Sequence, residues 1–285
     1  RPKSLVEVVG QDHIIGANGP IGRMIAQGRP LSIILWGPPG TGKTTIARLL
    51  STAFKLHFEQ LSAVFSGVAD LKKTFDAARQ RRKMGQGTLL FIDEIHRFNR
   101  SQQDSFLPVV EDGTVVLVGA TTENPSFELN GALLSRAQVL VLRRLDDAAL
   151  ETLLERAEAH YGERFRLTED ARASLRAMAD GDGRYLLNLA EELAAIKTVK
   201  PLDSAELVAA IQKRAPLYDK SREEHYNIIS ALPKSIRGSD PDAAPYRLAR
   251  MRAGGEQPLT LAPARVPAAA ADRRGAAPRA PVPAR

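Results

Sequence analysis

Apolar residues follow two different spacings along the chain, and the change from one to the other divides it. Residues 32–36, Ser-Ile-Ile-Leu-Trp, form a short apolar run that stops at Gly-Pro-Pro-Gly, which predicts a buried strand entering a turn. A helix is expected next, from 43 to about 55. Residues 70–83 place Leu71, Phe75 and Ala78 at helical spacing with basic residues opposite, and Gly85 and Gly87 end the pattern. Residues 88–92 predict a second buried strand. Ser101-Gln102-Gln103-Asp104 has the form of a capping box, opening a helix expected to run to Glu111-Asp112-Gly113, and 114–119 predict a third strand. A further strand is expected over 138–142. Strands that are apolar on both faces and alternate with helices imply a parallel sheet covered on both sides, an α/β fold.

Beyond residue 145 the spacing becomes helical throughout. Segments 146–161, 168–179, 184–197 and 204–215 each repeat apolar residues at the 3.6-residue period, with no strand candidate among them. Another helix is expected over 223–232. From 262 onward, twenty of twenty-four residues are Ala, Pro or Arg, a composition that cannot build a packed core and predicts disorder. The expected organisation is an α/β domain over 1–144, a helical lid over 145–215, the start of a further helical region over 216–256, and a disordered tail over 257–285.

Composition narrows the class only slightly. The chain of 285 residues is 44% hydrophobic and has no cysteine, which excludes disulfides and cysteine zinc sites and fits a cytoplasmic location. Its longest apolar runs fall well short of the ~18 residues that cross a bilayer, so no membrane partner is expected. The net charge of +7 suggests nucleic acid at first sight, yet residues 262–285, with five arginines and one aspartate, account for +4 of it. The rest is only mildly basic.

The chemistry is concentrated at strand ends. Gly37-Pro38-Pro39-Gly40-Thr41-Gly42-Lys43-Thr44 fits G-x-x-x-x-G-K-[ST] between a predicted strand and a predicted helix. In that pattern the backbone amides wrap phosphates, Lys43 meets the outer phosphates of ATP and Thr44 ligates Mg2+. Thr45, the next residue, is counted with them. Asp93 and Glu94 end the buried run 88–92, where ligands of open α/β sheets sit; Asp93 is expected to hold Mg2+ and Glu94 to orient the attacking water. Thr122 follows the third strand, where a polar side chain can reach the γ-phosphate. His96, two residues past Glu94, reads as structural. On spacing alone Arg136 and Arg184 are surface arginines.

Taken in order, these segments resemble the replication-associated recombination protein A family of AAA+ ATPases, relatives of clamp loaders and of the Werner helicase-interacting protein. The resemblance starts at Arg1-Pro2-Lys3-Ser4-Leu5 and Val9-Gly10-Gln11 and includes the P-loop and Ser62-Ala63-Val64. It continues through Phe91 to Asn99, Thr121-Thr122-Glu123-Asn124-Pro125-Ser126-Phe127-Glu128 and Ala132-Leu133-Leu134-Ser135-Arg136. It implies a DNA-dependent ATPase at stalled or gapped forks or at junctions of single and double strand, nucleoid-associated, with replication proteins as partners. Thr122 becomes sensor 1. Arg136 becomes an arginine finger for a neighbouring subunit's ATP, and Arg184 becomes sensor 2, a nucleotide-binding residue of the lid.

Two departures qualify these expectations. The family's lid motif, Gly-Asp-x-Arg-Arg/Lys-Ala-Leu-Asn, here reads Gly181-Asp182-Gly183-Arg184-Tyr185-Leu186-Leu187-Asn188. After Gln257-Pro258-Leu259 the family pattern is lost, so the C-terminal helical domain with the tetramer contacts is expected to be missing and self-association to be weak. The tail composition fits either an out-of-frame reading of GC-rich DNA or a genuine short variant. Rival functions are a Holliday-junction branch-migration motor, which should show a winged-helix domain after the lid, and a nucleotide-dependent scaffold with little turnover. A clamp-loader subunit is a third, disfavoured because such motor subunits usually carry a cysteine zinc module.

Overall fold

The computed structural model describes residues 2–196, 198 and 200–218, with side chains described through 211. Five strands, β1 (Ile33–Trp36), β2 (His57–Ser62), β3 (Thr88–Asp93), β4 (Val115–Thr121) and β5 (Gln138–Val141), form one sheet in the order β2-β3-β4-β1-β5. Every pairing is parallel. Alternate residues of the central strands feed two cores. Ile33, Leu35, Leu89, Phe91, Val118 and Ala120 pack on one face with Ile46 and Leu50 of helix α3 (Lys43–Ala53) and with Ile14 and Ile21 of helices α1 (Asp12–Ile15) and α2 (Pro20–Ala26). Ile34, Leu90, Ile92 and Leu117 pack on the other face with Leu71 and Phe75 of α4 (Val68–Lys83) and with Phe106. The α/β reading with helices on both faces holds.

The sheet has one strand more than the apolar pattern predicts. β2 lies at the edge and none of its residues is fully buried, so it never forms an apolar run. Its outward polar groups are engaged instead: Arg81 pairs with Glu59 at 2.6 Å, Arg48 bonds Gln60 at 2.8 Å, and the Arg48 guanidinium lies over the Phe58 ring. The helix expected from Ser101 to Glu111 is two short ones, α5 (Arg100–Asp104) and α6 (Leu107–Glu111), and Pro108 fits the first turn of the second. Its capping box sits two residues earlier than expected. Asn99 accepts from the Gln102 amide while Gln102 accepts from the Asn99 amide. Two more short helices, α7 (Pro125–Glu128) and α8 (Gly131–Leu134), lead into β5.

The helical half follows the 3.6-residue period closely. Helices α9 (Asp147–Tyr161), α10 (Glu169–Ala179) and α11 (Gly183–Ala194) are N-capped by the side chains of Asp146, Thr168 and Asp182. Residues 1–204 form one compact unit, and α12 (Ser204–Tyr218) belongs largely to a second. The helix expected at 223–232 and the expected tail lie outside the described residues. Arg172 staples the lid: its side chain, 4% exposed, bonds both oxygens of Glu158 at 2.7 and 3.0 Å and also reaches Glu151. Burial opposes ionisation of Glu158, but the Arg172 bonds and the Phe165 amide outweigh it and lower its pKa. Because removing one partner strands a buried charge, Arg172→Ala should cost about 3–5 kcal/mol, read as an earlier midpoint in chemical denaturation. A midpoint unchanged from wild type would show that the lid does not depend on this pair.

Candidate functional site

Parallel strands bring their C-terminal ends to one edge, and β3, β4 and β1, adjacent in that order, carry the candidate residues there. Trp36 at the end of β1 is level with Thr121 at the end of β4, and the Gly37 amide donates to the Thr121 carbonyl at 3.2 Å. The loop then turns through Gly40 and Gly42, whose φ values of +69° and +95° strain any residue with a side chain. At Gly40 an added Cβ would also run into the Asp182 carboxylate of the lid. Thr41 closes the turn by donating to the Pro38 carbonyl at 2.9 Å, and Pro39 is exposed at the loop's outer side. Thr44 and Thr45 follow in the first turn of α3, both partly buried.

Lys43 shows what this loop is built to receive. Its ammonium is buried and donates to the Gly37 and Pro38 carbonyls, each at 2.7 Å, with no salt bridge among the described residues. Burial lowers its pKa; the charges of Glu94 and Asp93 oppose that shift, Arg184 adds to it and Asp182 opposes it. An ammonium out of water, held only by carbonyls at a helix N-terminus, gains from any multiply charged anion that enters the loop. Asp93, Glu94, Asp182 and Arg184 are thus each close enough for their charges to act on Lys43.

Asp93 and Glu94 leave the end of β3, and Glu94 has φ +53°, in the left-handed region rare for a residue with a side chain. That turn ends the strand and directs the chain into residues Ile95–Arg97. The Thr122 hydroxyl donates to Glu94 Oε2 at 3.4 Å. Among the described residues no cluster of three metal-ligating side chains occurs.

Residues 33–145 match the family described as "ATPase family associated with various cellular activities (AAA)", and residues 160–237 match "AAA C-terminal domain". The replication-associated recombination protein A of Escherichia coli K12 is 43% identical over 98% of this chain and 65% of its own length. The protein of the same name from Haemophilus influenzae is 44% identical over the same shares. This chain is thus similar to that family of AAA ATPases over nearly its whole length. ATPase WRNIP1 of Dictyostelium discoideum is 40% identical over 92% of this chain and 32% of its own length. The chain thus spans about two thirds of the length of the bacterial relatives and a third of the amoebal one. Among solved structures, the Thermotoga maritima RuvB Holliday junction branch migration motor shares the fold with a TM-score of 0.62 at 23% identity, covering 83% of this chain and 80% of that one.

The two arginines differ in placement. Arg184, at the first turn of α11, is exposed and near enough to Lys43 for its charge to act there. Arg136, just past α8, bonds Glu111 at 2.5 Å, the Ala132 carbonyl at 2.8 Å and the Ser135 hydroxyl at 2.9 Å. None of those partners belongs to the P-loop or to the ends of β3 and β4. Reading the sequence missed Asp182, which caps α11 and abuts Gly40 while the Gly183 amide donates to the Gly40 carbonyl at 3.2 Å. It also set aside His96, whose ring lies between Glu94 and Thr121. For Asp182 a signal existed, an Asp directly before a helix start; for His96 the only signal was its nearness to the acidic pair.

Proposed function

We propose that this chain is a Mg2+-dependent ATPase whose hydrolysis is stimulated by DNA and serves replication-associated recombination. The observation that supports the activity best is Lys43: a buried ammonium with no salt bridge among the described residues, cradled in a P-loop and within electrostatic reach of the two carboxylates at the end of β3. The amides of the loop and Lys43 hold the phosphates, and Thr45 and Arg184 complete the nucleotide contacts. Thr44 and Asp93 hold the metal, which when bound neutralises charge on the phosphate oxygens. Glu94 orients the attacking water, Thr122 fixes the Glu94 carboxylate, and Arg136 serves a neighbouring subunit's nucleotide. Residues 1–144 form the nucleotide domain and 145–215 the lid. Similarity to the bacterial family members supports DNA forks, gaps or junctions as the macromolecular partner and a cytoplasmic, nucleoid-associated location.

Glu94→Gln tests the reading. The metal ligands and P-loop stay intact, so ATP affinity should hold while turnover falls on the scale of ~10²-fold or more for loss of a group acting on the water. The measurement is ATP hydrolysis by both proteins, with and without forked DNA, beside a titration with a fluorescent ATP analogue. A variant within twofold of wild type would assign the water to another residue. Wild-type turnover that ignores every DNA substrate would leave an ATPase with a different regulator.

A further inference from the structure

His96 follows the acidic pair on a short helical turn and is nearly enclosed, its side chain 7% exposed. Its Nδ1 faces two oxygens, Thr121 Oγ1 at 2.9 Å and Glu94 Oε2 at 3.4 Å. The Thr121 hydroxyl has a single hydrogen and donates it to the Glu123 carbonyl at 3.2 Å, while accepting from the Glu123 amide at 3.0 Å. With that hydrogen engaged and a carboxylate on the other side, Nδ1 meets acceptors only. With its hydrogen on Nδ1 the ring donates to the nearer acceptor, Thr121 Oγ1, and turns that N–H edge toward the Glu94 carboxylate. Thr121 is itself fully buried, and its carbonyl accepts from Gly37 at the start of the P-loop. The ring is therefore fixed on a rigid strand end that also touches the nucleotide loop.

Glu94 needs such a support. Its left-handed backbone persists only where the surroundings impose it, and among the described residues its side chain is otherwise held by one 3.4 Å bond from the exposed Thr122. We propose that His96 is a positioning residue for Glu94: its ring, anchored by the hydrogen bond to Thr121, presents the positive Nδ1–H edge to the carboxylate and holds it at the sheet edge. The assignment rests on the ATPase reading. It also ties the carboxylate to the turn 121–124, so a shift of that turn on nucleotide binding moves Glu94 through the imidazole as well as through Thr122.

The test uses the full chain and reads kcat, KM, affinity for a fluorescent ATP analogue and the thermal midpoint. His96→Ala should lower kcat about 10-fold or more, the scale of losing a hydrogen bond to a charged group, with KM and affinity within twofold of wild type. His96→Asn should recover most of that loss, because its amide N–H stands where the Nδ1 hydrogen does. His96→Leu, which keeps the bulk without the donor, should lose activity like alanine and carries the test if the alanine variant does not fold. In a Glu94→Gln background, His96→Ala should cause no further fall, since a group acting only through Glu94 has nothing left to position. The proposal is overturned if the donor-free variants turn over within twofold of wild type, if asparagine is as damaging as alanine, or if the two substitutions multiply. A wild type with no turnover overturns the ATPase reading together with it, whereas an active wild type indifferent to residue 96 overturns the His96 role alone.

Discussion

Alanine at position 43 is expected to remove ATP binding while leaving the fold intact. The lysine ammonium is buried and, among the described residues, bonded to the Gly37 and Pro38 carbonyls alone, and burial lowers its pKa. Truncating one partner of a buried charge pair costs about 2–5 kcal/mol, so affinity should fall from about 30-fold to several-thousand-fold. Stability should move the other way. A lysine whose folded-state pKa is lowered penalises folding in full below that lowered value; the penalty fades as pH rises from it towards the ordinary 10.5 and is gone above. Near neutral pH the apo Lys43→Ala protein should therefore melt no earlier than wild type, which separates lost binding from lost folding. Calorimetric titration with ATP and a melting curve of each apo protein check both halves. Undiminished affinity would sink the P-loop assignment.

The elements legible in the sequence are those whose stability is local or fully buried. β1, β3 and β4 are apolar on both faces because both faces pack against helices, so their residues announce them. The lid helices carry their own periodicity and their own caps at Asp146, Thr168 and Asp182. β2 had no such signature, since an edge strand satisfies polar side chains through Arg48 and Arg81, contacts that only the folded chain brings together. The segment 100–111 misled for a related reason: the capping pattern at Ser101 competes with a true one at Asn99, and Pro108 begins a second helix where one was expected to continue. At the candidate site, the sequence motifs point directly to the loop 37–44 and to the acidic pair, because the spacing of each is set by the chain itself. The coupling of His96 to Thr121 and of Gly40 to Asp182 joins positions on different elements, and no spacing rule encodes it.

Arg136→Ala should reduce turnover by ~10³-fold or more without weakening ATP binding, if the arginine acts on a neighbouring subunit's nucleotide. In the single chain its guanidinium is tied to Glu111, Ala132 and Ser135, so none of its bonds serves the chain's own P-loop. The Glu111 pair does not lock it there. Both side chains are more than a third exposed, and a pair of that kind contributes about 0–1 kcal/mol, far less than the charge of a transferring phosphoryl group offers an arginine. A finger working between chains has two signatures that a finger within one chain lacks. Specific activity should rise with protein concentration as neighbours meet, and two inactive variants should complement each other. Arg136→Ala keeps its own ATP site, and Lys43→Ala keeps its own finger, so an equal mixture should recover part of the lost activity. The readout is ATP hydrolysis across a hundredfold range of protein concentration, for each variant alone and for the mixture. Activity that is flat with concentration, together with a mixture as inactive as its components, would return Arg136 to a structural task, holding the end of α8 to Glu111 ahead of β5.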